Sequence, residues 1–147
     1  MRGDFTDKII VVIGGTGTIG SKVVEQLLKT DCRAIRVLTN DEYALYDLMY
    51  KYGNDRRLRD LVGDIRDKDR LLMAFQGADY VFNCAALKHV DLMEYNPLEA
   101  VKTNVIGQKN SLEAALECDV GHYLFLSSDK AVNPSSTMGA TKLLGER

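Results

Sequence analysis

Three glycines spaced three apart, Gly14, Gly17 and Gly20, stand between a β-branched run and an amphipathic stretch. That pattern suits a pyrophosphate. The first glycine permits a tight turn, the second lets phosphate approach the backbone, and the third lets helix and strand pack closely. A helix beginning there offers free N–H groups and partial positive charge to an anion. The loop Gly14, Thr16, Gly17, Thr18, Ile19, Gly20 therefore reads as the phosphate-side contacts of a dinucleotide cofactor.

Other residues that could do chemistry follow later apolar runs. An acid after the second strand would grip an adenosine ribose, and an arginine would accept a 2′-phosphate. Thr39-Asn40-Asp41 meets neither rule cleanly. Asp41 is either the ribose acid or the N-cap of the next helix. Asp64, followed by Ile65, is placed to meet an adenine amino group or to cap its own turn. Cys84-Ala85-Ala86 has small side chains that let backbone lie against a cofactor, or that simply pack tightly. Asp129 and Lys130 are an adjacent acid and base that form either a reactive pair or a loop ion pair. Lys142 lies four residues after Met138, on the same helical face. His89 and His122 are read as non-catalytic.

The elements that must position these groups alternate in period. Ile9 to Ile13 is uninterrupted and β-branched, as in a strand buried on both faces. Ile19, Val23, Val24, Leu27 and Leu28 line one helical face. Ala34 to Leu38, Leu58 to Val62, Tyr80 to Phe82 and Tyr123 to Leu126 read as further strands. Asp41 to Tyr52, ended by Gly53-Asn54, and Lys68 to Phe75 read as helices. Asn96 is expected to cap one long helix reaching Cys118, with Pro97 at its first position and Glu99 reaching back. A last helix begins near Met138. Strands alternating with helices imply an α/β fold with a doubly wound parallel sheet.

The 147 residues suit about one domain. Net charge is −2, which gives no electrostatic footprint for nucleic acid. The basic cluster Lys51, Arg56, Arg57 and Arg59 is expected to be solvated surface. Cys32, Cys84 and Cys118 are far apart with no CxxC pair, so no zinc site or redox dithiol is expected and no metal is assigned. Free thiols suit a reducing, cytoplasmic setting. Met1 to Lys8 carries Asp4 and Asp7 and does not resemble a signal peptide, and no run approaches a membrane span. Arg147 falls inside a helical pattern without a cap, so residues 1–147 are expected to be an N-terminal cofactor domain, truncated before a substrate-binding part.

Four stretches together resemble the extended short-chain dehydrogenases/reductases, and within them the UDP-N-acetylglucosamine 4,6-dehydratases of surface-polysaccharide biosynthesis. They are Gly14 to Gly20; Gly63-Asp64-Ile65-Arg66-Asp67; Ala85-Ala86-Leu87-Lys88-His89-Val90, running on to Glu94-Tyr95-Asn96-Pro97 and Val101-Lys102-Thr103-Asn104; and Ser127 to Pro134 with Met138-Gly139-Ala140-Thr141-Lys142. The resemblance implies an NAD(P)-binding Rossmann fold, a nucleotide-sugar substrate and a homo-oligomer. It implies that Asp129 and Lys130 are the acid/base residues for eliminating water. It places Lys142 on the nicotinamide ribose, Lys88 beside cofactor and substrate, Ser127 at the cofactor, and Ser128 at the substrate. Asn104 would support the hydrogen-bond network of the site.

Two departures stand out. The tyrosine of the general family motif is Met138 here, and methionine has no titratable proton. Many members have Ser-Arg where this chain has Thr39-Asn40, so the pattern leans toward NAD over NADP. A related epimerase or reductase, and a non-catalytic dinucleotide-binding module, are the competing functions.

Overall fold

A computed structural model describes residues 5–53 and 55–147. Two expectations touch residues outside that set: the leader reading at Met1 to Asp4, and Asn54 as part of a helix stop. Gly53 does adopt a positive φ of 60° at the end of its helix.

Five parallel strands form one sheet in the order β3-β2-β1-β4-β5. They are β1 Ile9–Ile13, β2 Ala34–Thr39, β3 Leu58–Val62, β4 Tyr80–Asn83 and β5 His122–Phe125. β5 begins one residue earlier than the sequence pattern suggests. Ile10, Val11, Val12 and Ile13 are at most 1% exposed. Val11 and Ile13 pack with Leu71, Phe75 and Ala114 on one face. Ile10 and Val12 pack with Val24, Leu27 and Leu45 on the other. Each such side chain contributes about 1.5–3 kcal/mol on leaving water. This explains why β1 shows no alternation.

The helices are α1 Thr18–Leu27, α2 Glu42–Lys51, α3 Lys68–Phe75, α4 Val90–Tyr95, α5 Pro97–Val101, α6 Gln108–Glu117 and α7 Thr137–Glu146. None among the described residues is long and apolar enough to cross a membrane. The strand order reverses between β1 and β4, which opens a crevice above their carboxyl ends, where ligands bind in such sheets.

The long helix expected from Asn96 to Cys118 is helical without a break from Pro97 to Glu117, and differs from the expectation in four ways. A short helix, α4, precedes it. Asn96 makes no side-chain cap; its Nδ2 donates to the Leu92 carbonyl at 2.8 Å. Glu99 does not reach back, but pairs with Lys102 at 2.7 Å and Arg66 at 3.1 Å. A π-helical segment, Lys102–Gly107, then joins α5 to α6. Such a segment adds a residue per turn and rotates the face that follows, so a 3.6-residue pattern misses it. Pro97 does occupy the first turn of α5.

The basic cluster also divides. Arg57 is half-buried and pairs with Asp55 at 3.0 Å. Its guanidinium also donates to the carbonyls of Thr30 and Leu28. It ties the start of β3 to the end of α1, while Lys51, Arg56 and Arg59 are exposed.

Candidate functional site: a dinucleotide cleft

The cleft above β1 and β4 has a volume of about 700 Å³, within the range of small-molecule sites. Its floor is the glycine loop. Gly14 has φ +68° and abuts the loop after β4: a Cβ there would lie 2.9 Å from the Ala85 backbone. Gly17 differs. It is exposed, and a Cβ on it would meet nothing nearer than the Gly14 oxygen at 3.4 Å. The loop thus leaves open space above Gly17, on the cleft side of the α1 N-terminus, where a phosphate would lie. Ile19 is 52% exposed and lines the cleft instead of joining the core face of α1.

At one end stand Thr39, Asn40, Asp41, Asp64 and Ile65, all on the cleft wall. Thr39 is buried, and its hydroxyl lies 3.0 Å from that of Thr16, joining the glycine loop to the end of β2. Asp41 accepts from Ala44 N–H at 2.9 Å and is the N-cap of α2. Asp64 accepts from Arg66 N–H at 2.9 Å, from the Arg66 guanidinium at 2.7 Å, and from Asn40 Nδ2 at 3.3 Å. The Arg66 contact is the main cause holding the Asp64 carboxyl below its ordinary range. Each aspartate caps its turn, and each also lines the cleft.

The other end is built by Ala85, Ala86, Lys88, Ser127, Ser128, Met138 and Lys142. Met138 is 4% and Lys142 6% exposed. The Lys142 ammonium donates to the Leu126 carbonyl at 2.8 Å and lies 4.5 Å over the Phe125 ring. Burial pushes its pKa below the ordinary lysine value. Burial likewise pushes the neighbouring Cys84 thiol up.

Three residues named from sequence are not among those lining the cleft. Asn104 is 2% exposed and acts beneath it. Its Oδ1 accepts from Leu87 N–H at 2.9 Å, while its Nδ2 donates to the Leu87 carbonyl and to Thr141 Oγ1. It ties the loop after β4 to α7. Asp129 and Lys130 follow Ser128 in a short 3₁₀ turn, are exposed, and lie 3.9 Å apart. That turn rests on α7 at Gly139, where a Cβ would lie 2.4 Å from the Lys130 carbonyl oxygen.

Arg66, Asn96, Glu99 and Thr103 line the cleft as well, beyond the residues expected there from sequence. Asn96, Glu99 and Thr103 are polar at intervals of three and four, the spacing of one helical face, and that spacing is the sequence signal for them.

A family model described as polysaccharide biosynthesis protein matches residues 10–147. Among curated proteins, an uncharacterized membrane protein of Methanocaldococcus jannaschii is 53% identical over 97% of this chain and 43% of its own length. The capsular polysaccharide biosynthesis protein CapD of Staphylococcus aureus is 41% identical over 97% of this chain and 25% of its own. A UDP-glucose 4-epimerase of Rickettsia massiliae is 40% identical over 97% and 43%. The chain thus spans less than half the length of these relatives. Among solved structures, Pen from Bacillus thuringiensis superposes with a TM-score of 0.96 at 43% identity, over 98% of this chain and 46% of Pen. DesIV, a dTDP-glucose 4,6-dehydratase from Streptomyces venezuelae solved with NAD and TYD bound, superposes at 0.87 with 29% identity, over 94% and 49%. The glycine loop, the crevice at the strand reversal and these matches agree: the chain belongs to the polysaccharide biosynthesis protein family and is an NAD-binding domain of the extended short-chain dehydrogenase/reductase type.

Proposed function

We propose that this chain is the cofactor-binding part of a nucleotide-sugar 4,6-dehydratase acting on UDP-N-acetylglucosamine. The observation that carries the reading is Met138, buried in the cleft wall one helical turn before Lys142. A side chain without a titratable proton cannot take up the proton released when a sugar hydroxyl is oxidised. That work falls to neighbouring groups, and Asp129 and Lys130 directly follow the cleft residue Ser128.

Water loss from C6 of a hexose is difficult because the C5 proton is not acidic. A ketone at C4 makes it acidic. A nicotinamide dinucleotide, held by the glycine loop and Lys142, would supply the hydride chemistry this needs. The chain's own groups do the rest. Gly17 and the α1 N-terminus receive the pyrophosphate, Lys142 holds the ribose, Ser128 contacts the sugar, and Asp129 and Lys130 move protons at C5 and at the departing C6 hydroxyl.

The adenosine end suits NAD. Asp41, Asp64 and Glu99 face the cleft there beside Arg66, whose guanidinium is already bound to Asp64 and Glu99. A 2′-phosphate would meet more acid than base. A homo-oligomer is part of the same proposal. Leu112 and Leu116, four apart on α6, are 39% and 78% exposed.

An epimerase is the second reading, favoured by the 40% identity to the Rickettsia protein. Incubating the longer enzyme with UDP-N-acetylglucosamine separates the two. A product lighter by one water, with a 4-keto-6-deoxy signature by NMR, is expected. An epimer of unchanged mass would sink the dehydratase reading.

A further inference from the structure

We infer that Asn83 is a positioning residue for the dinucleotide, setting the approach of the β4 loop to the glycine loop; this rests on the cofactor reading above. Asn83 is the last residue of β4, 1% exposed, and does not itself line the cleft. The ladder between β1 and β4 ends beside it, where Cys84 N–H donates to the Ile13 carbonyl at 2.9 Å. Beyond that point the chain must leave the sheet. The Asn83 side chain directs the exit: its Oδ1 accepts from Ala85 N–H at 3.1 Å.

Ala85 is the residue that meets Gly14. A Cβ on Gly14 would lie 2.9 Å from both Cα and N of Ala85. The two backbones thus touch at the base of the crevice, and Gly14 and Ala85 both line it. A change in the Ala85 exit angle would alter the separation of the two walls.

The far side of the same amide is anchored. Its Nδ2 donates to Gln108 Oε1 at 2.6 Å and to the Tyr123 hydroxyl at 3.0 Å. That hydroxyl also lies 2.9 Å from both Gln108 Oε1 and Ser111 Oγ. Gln108 and Ser111 are buried on α6, so the network holds Asn83 in one rotamer against helix and sheet. Only an amide offers an acceptor to Ala85 and donors to Gln108 and Tyr123 together. Asn83 therefore transmits a fixed position from the core to the cleft wall.

Two variants separate positioning from stability. Asn83→Ala removes the link to Ala85 and the network. Tyr123→Phe damages the network and leaves the link. NAD titrated into this chain by calorimetry should bind Asn83→Ala about tenfold more weakly, the weight of one buried hydrogen bond. Tyr123→Phe should lower the melting temperature yet bind NAD within about twofold of the unmutated chain. Equal weakening by Asn83→Ala and Tyr123→Phe, or no weakening by either, overturns the inference.

Amide hydrogen exchange on the unmutated chain needs no variant. Ala85 N–H should be protected without NAD, and free exchange there also overturns the inference. Failure of the unmutated chain to bind NAD is a different result. It removes the cofactor reading and this inference with it.

Discussion

A Cβ on Gly20 would lie 2.2 Å from the carbonyl oxygen of Gly14, so these two glycines are packed backbone against backbone at the first turn of α1. Gly17, midway between them, has no such neighbour. One motif therefore contains glycines with separable duties, fold at Gly20 and ligand approach at Gly17. Gly20→Ala should destabilise the chain by about 3 kcal/mol, the cost of overpacking where backbone cannot yield. Thermal melting reads it. A Gly20→Ala chain that melts with the parent would show that the turn relaxes freely.

Lys142 gives a pH prediction. Its folded pKa is depressed by burial, so below that value the ammonium is charged in both states and the burial penalty is fully present. As pH rises through the folded pKa toward the ordinary 10.5, the folded form loses its proton first and the penalty is relieved. The group's contribution therefore favours folding increasingly in that alkaline window. The melting-temperature difference between the parent and Lys142→Met should narrow or reverse in the parent's favour there. NAD affinity should fall over the same window as the cation is lost. A pH-independent difference between the two proteins would contradict the assignment.

The proton-transfer pair makes a prediction for the longer enzyme. Asp129→Asn and Lys130→Ala should each lower turnover by about 10²–10⁴ while NAD affinity holds. Met138→Leu conserves volume and should cost no more than about tenfold. Gly139→Ala should act like the pair, because its Cβ would displace the Lys130 carbonyl. Steady-state kinetics with a parallel NAD titration checks all four. An inactive Met138→Leu beside an active Lys130→Ala would reverse the roles.

Glu94 gives a fourth. Its carboxylate accepts from Thr137 N–H at 2.7 Å and from Thr137 Oγ1 at 3.1 Å, so α4 caps the N-terminus of α7. Glu94→Ala should cost about 1 kcal/mol of stability and loosen the helix bearing Met138 and Lys142. In the longer enzyme kcat should fall more than KM rises. An unchanged kcat with a lowered melting temperature would confine Glu94 to the fold.

The sheet was legible because β1 is buried on both faces and its composition says so directly. The glycine loop was legible because strand, glycines and helix follow in order. The region between Asn83 and Gly107 was not. There α4, the break at Asn96 and the π-helical segment answer to tertiary contacts, such as Gly107 against Ile65 and Asn104 against Leu87. Local periodicity carries no trace of these. Asp41 and Asp64 could not be decided from sequence because capping a turn and lining a cleft are not exclusive, and in the fold both aspartates do both. Asn83 left no signal, since a polar residue closing a strand reads as an ordinary loop start.

Calorimetric titration of NAD into this chain, beside the same titration into Gly17→Val, tests the central claim most directly. The cleft should bind NAD saturably and more tightly than NADP. Gly17→Val should fold with a melting temperature close to the parent's, because its Cβ has room, and should show no NAD binding, because that room belongs to the pyrophosphate. Equal binding by the folded variant, or no binding by the parent, would contradict the account.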